Sequence, residues 1–269
     1  HLNPGPTSQF NICTLNIRSL TNQLHYYTAL ADLALTHHIN LFALSETWVT
    51  PSTTFSELSE ATPPEFSLIN TPRPVSPTNQ KKKIVGGGTA FLIHDSSTIV
   101  STSSEIFKSF ELSSITIKLL KSKLTVFNIY RNHYQINTST HDPVPFSDFL
   151  IDFQTFISTA ATTPHEFLIT GDFNIHTDNH SDLHSQQFLS LLNNANFTQR
   201  VNFPTHQAGH TLDLVITTKD STLSPTITHS LVSPSDHFPI FTSLVISPPS
   251  PPLTKHFFRC IKSINLNNF

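Results

Sequence analysis

Apolar and polar residues alternate from Phe10 to Asn16, the mark of a strand with one buried face. The period then changes. Leu24, Tyr27, Leu30, Ala31, Ala34 and Leu35 fall at helical spacing over 24–36. Ile39 to Leu44 is a short apolar run, read as a buried strand that ends at Ser45-Glu46. Gly86-Gly87-Gly88 opens another strand, Thr89 to His94, and strand-like segments cover Ser114–Lys118 and Leu124–Tyr130. Phe146, Phe149, Leu150, Phe153 and Ile157 predict a helix. Glu166 to Thr170 is a strand leading into Gly171-Asp172-Phe173-Asn174. A helix near Gln186–Asn193 and strands at Thr211–Thr217 and Ile240–Ile246 complete the series.

Between these elements, Ala61 to Lys83 is rich in Pro and Thr, ends in Lys81-Lys82-Lys83, and reads as a surface loop. Strands and helices mixed throughout predict an α/β sandwich, two packed sheets with helices outside. Residues 1–9 read as a loose lead-in, 10–246 as one domain, and 247–269 as a Pro-rich linker with the start of a following segment. The chain contains no methionine, even at position 1, which fits a piece of a longer protein. No fixed-period repeat is present.

Composition narrows the picture in three ways. The 269 residues suffice for a sizeable core. A mean hydropathy of −0.10 suits a globular chain. No apolar run approaches the ~20 residues that cross a bilayer, and the N-terminus lacks the features of a signal peptide. Cys13 and Cys260 are too few for a zinc site without other ligands and read as free thiols. With 15 basic against 18 acidic residues the formal charge is −3, which argues against tight non-specific binding to a polyanion. It leaves room for an enzyme that holds DNA briefly, and the 16 histidines add positive charge below neutral pH.

The candidate chemistry sits at predicted strand ends. Glu46 directly after a buried strand is either a surface carboxylate or a ligand for a hard cation such as Mg²⁺. Asp172 and Asn174, two apart, point to one face if the segment is extended, or else form a turn. Asp can align or deprotonate a water, and Asn can donate to a phosphate oxygen. Asp236-His237 offers an acid/base or a stabiliser of negative charge. Asn16 ends the first strand. Tyr130 and Arg131 end another, and both side chains suit phosphate. Asp213 interrupts an apolar strand, where it either orients His237 or faces solvent at an edge.

Taken in order, Asn16, Glu46, Tyr130, Asp172/Asn174, Asp213 and Asp236/His237 are the residue types that phosphodiester hydrolysis needs. The local wording carries a family resemblance. Thr14-Leu15-Asn16-Ile17-Arg18-Ser19-Leu20, Leu44-Ser45-Glu46-Thr47-Trp48, Gly86-Gly87-Gly88, Asn128-Ile129-Tyr130-Arg131, Gly171 to His176, Gly209 to Ile216 and Ser235-Asp236-His237 resemble the endonuclease/exonuclease/phosphatase superfamily. They are most similar to the endonuclease domain of non-LTR (LINE-type, L2/CR1-like) retrotransposons, a relative of apurinic/apyrimidinic endonucleases.

The resemblance implies a DNase I-like four-layer α/β sandwich, two mixed β-sheets flanked by helices. It implies an Mg²⁺-dependent hydrolase, with Mn²⁺ as a possible substitute, that nicks one strand of double-stranded DNA. The 3′-hydroxyl so produced would prime target-site reverse transcription by a reverse transcriptase in the same longer chain, in the nucleus. Glu46 would bind the metal with Asn16 and Asp236. Asp172 would activate water, Asn174 and His237 would hold the phosphate, Asp213 would orient His237, and Tyr130 would contact the phosphate. Arg131 and Thr211 would meet DNA, and Lys81–Lys83 are a further basic run that either meets backbone or is a solvated loop. The alternatives are a phosphatase or other phosphodiesterase of the same superfamily, and a non-catalytic DNA-binding remnant.

Overall fold

The computed structural model describes residues 8–21, 24–73, 86–132 and 144–246. Residues 1–7 of the lead-in, Lys81–Lys83, the 247–269 segment and Cys260 lie outside the described residues.

Two six-stranded mixed sheets stack face to face. The first contains β1 (Ser8–Asn16), β2 (Leu41–Ser45), β3 (Phe66–Thr71), β4 (Thr89–His94), β11 (Thr226–His229) and β12 (Ile240–Ile246), ordered β11-β12-β1-β2-β4-β3. The second contains β5 (Thr98–Ile106), β6 (Glu111–Lys118), β7 (Lys123–Tyr130), β8 (Glu166–Asp172), β9 (Phe197–Gln199) and β10 (Asp213–Thr218), ordered β5-β6-β7-β8-β10-β9. Four helices complete the series: α1 (Leu24–His37), α2 (Phe55–Glu60), α3 (Phe146–Ala160) and α4 (Leu183–Asn194).

Three buried apolar clusters separate four layers. One, with Leu30, Phe42 and Leu92, lies between α1 and the first sheet. One, with Ile12, Phe91, Val126 and Val215, lies between the sheets. The third, rich in phenylalanine, seals α3 and α4 against the second sheet through Phe149, Phe153, Phe173 and Phe188. The four-layer sandwich is therefore the architecture that the sequence predicts. No helix among the described residues is long and apolar enough to cross a membrane.

Each sheet contains one parallel pair, β1 with β2 and β7 with β8. A parallel pair needs a crossover connection, and α1 and α3 lie in the two crossovers. Parallel pairing puts both C-terminal ends at one edge. In register, Asn16 meets Ser45 and Tyr130 meets Asp172. The antiparallel neighbours begin where these strands end: Asp213 at the start of β10 pairs with Asp172, and Ile240 at the start of β12 pairs with Thr14. All the candidate side chains thus gather at one end of the sandwich. Below them the sheets are tied by a buried 2.6 Å hydrogen bond between the hydroxyls of Thr14 and Thr170, and by Asn128 Nδ2 donating to the Leu44 carbonyl at 2.8 Å.

The structure corrects several expectations. The segment from Ala61 is not all loop, because 66–71 forms β3 at the edge of the first sheet. On α1, Leu30 is buried with Leu33 and Ala34 packed beside it, while Leu35 is 75% exposed. β5 carries no alternation because every residue in it is exposed, so apolar periodicity gives no signal there. β9, β11 and α2 are too short to show a period. Asp213 opens its strand rather than interrupting it, and Thr211 precedes it. Cys13 is a buried free thiol whose titration burial pushes upward.

Candidate active site

Gly171 sets the height of the site. Its φ is +124°, and a Cβ built there falls 2.0 Å from the Ile129 carbonyl oxygen. Only glycine lets β8 run this close to β7 one residue before Asp172.

Asp172 is fully buried. Its Oδ2 accepts from Asn16 Nδ2 at 2.8 Å and from Asn174 Nδ2 at 3.1 Å, and its Oδ1 accepts from the Asn174 backbone N–H at 2.9 Å. Asn174 has φ +50°, so the pair meets through a turn rather than along an extended strand. Asn174 Nδ2 also donates to the Arg131 carbonyl at 2.7 Å. Burial, and then the nearby Asp213, push Asp172 up to about 7.

Asn16 links this group to the first sheet, because its Nδ2 also donates to Glu46 Oε1 at 3.1 Å. Tyr130 donates its hydroxyl to the same Oε1 at 2.8 Å, and Trp48 Nε1 donates to Oε2 at 3.1 Å. Tyr130 is buried, so its expected contact with phosphate is replaced here by a bond that holds Glu46. Burial and the Glu46 and Asp172 carboxylates push its phenol upward.

His237 faces Asp213, not the adjacent Asp236. Its Nδ1 donates to Asp213 Oδ2 at 2.8 Å with both groups buried. The Asp213 backbone N–H is held by Thr205 Oγ1 at 3.0 Å. Burial works against the imidazolium, but Asp213, aided by Asp172 and Asp236, outweighs it and pushes His237 up to about 10. The ring is therefore a cation at neutral pH.

Asp236 is the main departure from the expected metal set. Its Oδ2 is paired with Arg18 at 2.5 Å and with His206 Nε2 at 3.4 Å. Burial raises the carboxyl, but Arg18 and His237 outweigh that and hold it below its ordinary range. Its Oδ1, like that of Asp213, is buried with no hydrogen-bond partner. The orphaned Oδ1 of Asp213 lies in one cluster with Asp172, and a hard divalent cation prefers such oxygen ligands, while the groups around Asp236 are Arg18, His206 and His237. Asp172, Asp213 and His237 also place one ligating atom each within 4.8 Å of the others.

Two expected DNA contacts turn inward. Arg131 is buried, donates from one Nη to the carbonyls of Phe173 and Asn174, and lies about 5 Å over the rings of Phe146 and Phe149. Burial lowers this guanidinium to about 10. Thr211 is buried and donates its hydroxyl to the Phe203 carbonyl at 2.8 Å. Both are braces of the loops that carry Asn174 and Asp213.

Sequence reasoning missed Arg18, Trp48, Arg73, Glu111, Thr205 and His206. Glu111 is a buried carboxylate bonded to the Gly88 N–H at 2.7 Å and paired with Arg73, whose guanidinium lies 5.6 Å over the Tyr130 ring. Burial raises Glu111, against the pull of Arg73. Trp48 and Arg18 stood inside recognised motifs, but their partners were not visible there.

A sequence profile of the Endonuclease/Exonuclease/phosphatase family matches residues 13–237, the stretch from β1 to the histidine of the site. No curated protein sequence matches the chain significantly. Solved structures with the same fold include an AP endonuclease from Leishmania major (TM-score 0.63, 14% identity, 88% of each chain covered). Another is the endonuclease domain of TRAS1, a telomere-specific non-LTR retrotransposon (TM-score 0.59, 13% identity, 90% of this chain and all of that one). A third is a Neisseria 3′ phosphatase bound to product DNA hairpin (TM-score 0.62, 15% identity, 87% of this chain and 99% of that one).

Proposed function

The chain belongs to the endonuclease/exonuclease/phosphatase family, and from that membership we propose that it is a divalent-metal-dependent endonuclease that nicks one strand of duplex DNA. The observation that carries this reading is the continuous bonded chain Tyr130–Glu46–Asn16–Asp172–Asn174, with the Asp213–His237 pair beside Asp172. The same fold occurs in the endonuclease domain of a non-LTR retrotransposon, which is in keeping with DNA as substrate, and priming of reverse transcription by the nick is the further part of this proposal.

Glu46 and Asn16, with the unpartnered Oδ1 of Asp236, would hold Mg²⁺ or Mn²⁺. Such an ion, when bound, neutralises charge on the phosphate oxygens. Asp172, raised to about 7, accepts the proton of the attacking water. Oxygen attacks phosphorus in line, the bond to the 3′ oxygen breaks, the leaving oxygen takes a proton from solvent water, and a 3′-hydroxyl and a 5′-phosphate remain. The His237 cation, kept charged by Asp213, stabilises the extra negative charge on phosphorus oxygens. Asn174 orients Asp172 through its backbone N–H and its Nδ2, whose second hydrogen goes to the Arg131 carbonyl. Tyr130 and Trp48 fix the Glu46 carboxylate.

The test is relaxation of supercoiled plasmid in Mg²⁺ or EDTA by wild type, His237→Ala and Asp172→Ala. Nicking by wild type in Mg²⁺ that both variants and EDTA abolish is the expected result. Wild type no better than the variants would sink the nuclease reading. Release of phosphate from a 3′-phosphorylated duplex with no plasmid nicking would favour a phosphatase, the activity named for one structure of this fold.

A further inference from the structure

We infer that Arg18 is a DNA-phosphate anchor beside the scissile position, held ready by Asp236 until the backbone arrives. The inference rests on the nuclease reading and adds a residue to it.

The basic side chains of the described residues divide by end of the sandwich. Lys118, Lys121 and Lys123 surround the β6–β7 turn, and Arg200 and Lys219 lie by the end of β10, all away from the site. At the site end stand Arg18, Arg73, Lys108 and Arg131. Arg131 is buried against Phe146 and Phe149. Arg73 is paired with the buried Glu111. Lys108 is tied to Asp148 at 2.7 Å, outside the catalytic group. Arg18 differs from all three because its partner Asp236 is itself part of the site; its side chain is half exposed, like that of Lys108. A nucleic acid reaching His237 therefore meets this guanidinium next to the reacting centre.

The backbone supports the placement. Arg18 and Ser19 both have positive φ, +48° and +102°, a conformation that non-glycine residues seldom adopt without a surrounding structure that imposes it. The loop is fixed by three backbone bonds to the Glu46 segment: Ile17 N–H to the Ser45 carbonyl, Ser19 N–H to Glu46 and Leu20 N–H to Thr47. Ser235 Oγ donates to the Asn16 carbonyl at 2.6 Å and ties the Asp236 loop to the same point. Guanidinium is planar and carries five donors, of which the bond to Asp236 uses one nitrogen. Phosphate accepts such a fork in two-pronged fashion, and the exposed half of the Arg18 guanidinium is open to it beside the bond to Asp236. In a chain with net charge −3, one such contact is a large share of the attraction for a polyanion.

The experiment is equilibrium binding of a fluorescent duplex by the whole chain in EDTA, where nothing is cut, across about 50–200 mM salt. Arg18→Gln and Arg18→Lys bear the same backbone strain; the first removes the positive charge and the second keeps it. We expect Arg18→Gln to lower the slope of log affinity against log salt by ~0.9, so that its deficit shrinks about 3.5-fold across that range. Arg18→Lys should keep the slope. Asp236→Asn, which removes a carboxylate and frees Arg18, should bind as tightly as wild type or tighter. If Arg18 were only a latch for the His237 loop, Arg18→Gln and Asp236→Asn would weaken binding alike with unchanged slope and lower melting temperature, and the inference would fall. Duplex binding by wild type with an unchanged slope in Arg18→Gln removes the anchor and leaves the nuclease reading standing. No duplex binding by wild type removes the anchor, and plasmid nicking in Mg²⁺ then decides the nuclease reading on its own.

Discussion

Asp213 opens β10 of the second sheet and His237 lies 24 residues on, in the loop before β12 of the first, yet Nδ1 of His237 donates to Oδ2 of Asp213 at 2.8 Å with both side chains buried. The carboxylate fixes the ring and keeps it charged. Asp213→Asn should therefore lower the nicking rate by about 10²–10⁴-fold, the range expected for loss of a positioned acid or base. Duplex affinity in EDTA should change little. Near-normal nicking by this variant would remove Asp213 from the mechanism.

The rate should depend on pH in a bell. It rises as Asp172 loses its proton through about 7 and falls as His237 loses its own through about 10. The sign for stability follows the same shift. His237 titrates above its ordinary value of 6.5, so its stabilising pairing is complete below 6.5 and is lost as pH rises through about 10. Asp213→Asn should pull the alkaline limb of the rate profile downward. A profile flat from pH 6 to 10 in wild type would contradict both assignments.

Arg131 should act on folding and not on DNA. Truncation to alanine removes the bonds to the Phe173 and Asn174 carbonyls and the stack on Phe146 and Phe149. The expected cost is about 2–4 kcal/mol, from lost charged hydrogen bonds and lost packing of the stem. Urea unfolding measures it. The salt slope for duplex binding should stay at the wild-type value, and a fall of ~0.9 would restore Arg131 to the DNA surface.

Gly171→Ala places a methyl group 2.0 Å from the Ile129 carbonyl in a backbone conformation that only glycine adopts freely. The loss should exceed about 3 kcal/mol. In a chain of this size that is at least about 6–12 °C in melting temperature. A variant melting within a degree or two of wild type would mean that β7 and β8 are not so closely set.

The strand-end residues were legible because each follows or precedes an apolar run, and strand direction does the rest. Asn16, Glu46, Tyr130 and Asp172 sit at the C-terminal ends of two parallel pairs, so a correct reading of four strands and two crossovers brings them together. What the side chains do there was less legible. Arg18 lies 218 residues from Asp236, and Arg73 lies 38 from Glu111, so no local pattern announces either pair. Arg131 and Thr211 carry polar groups that suit phosphate, but burial turns both toward carbonyls. β5 escaped notice because an edge strand with both faces in solvent has no reason to alternate.

The two sheets divide the reaction between them. Asn16, Glu46, Asp236 and His237 belong to the first sheet and its loops, while Tyr130, Asp172, Asn174 and Asp213 belong to the second. Neither half holds a general base beside a charged imidazole, so each is chemically mute by itself. The hydroxyl contact between Thr14 and Thr170 lies just beneath the seam, two positions before Asn16 and Asp172. Assembly of the site is thereby made a readout of sheet docking: a chain whose sheets have formed but not yet closed on one another has no complete site.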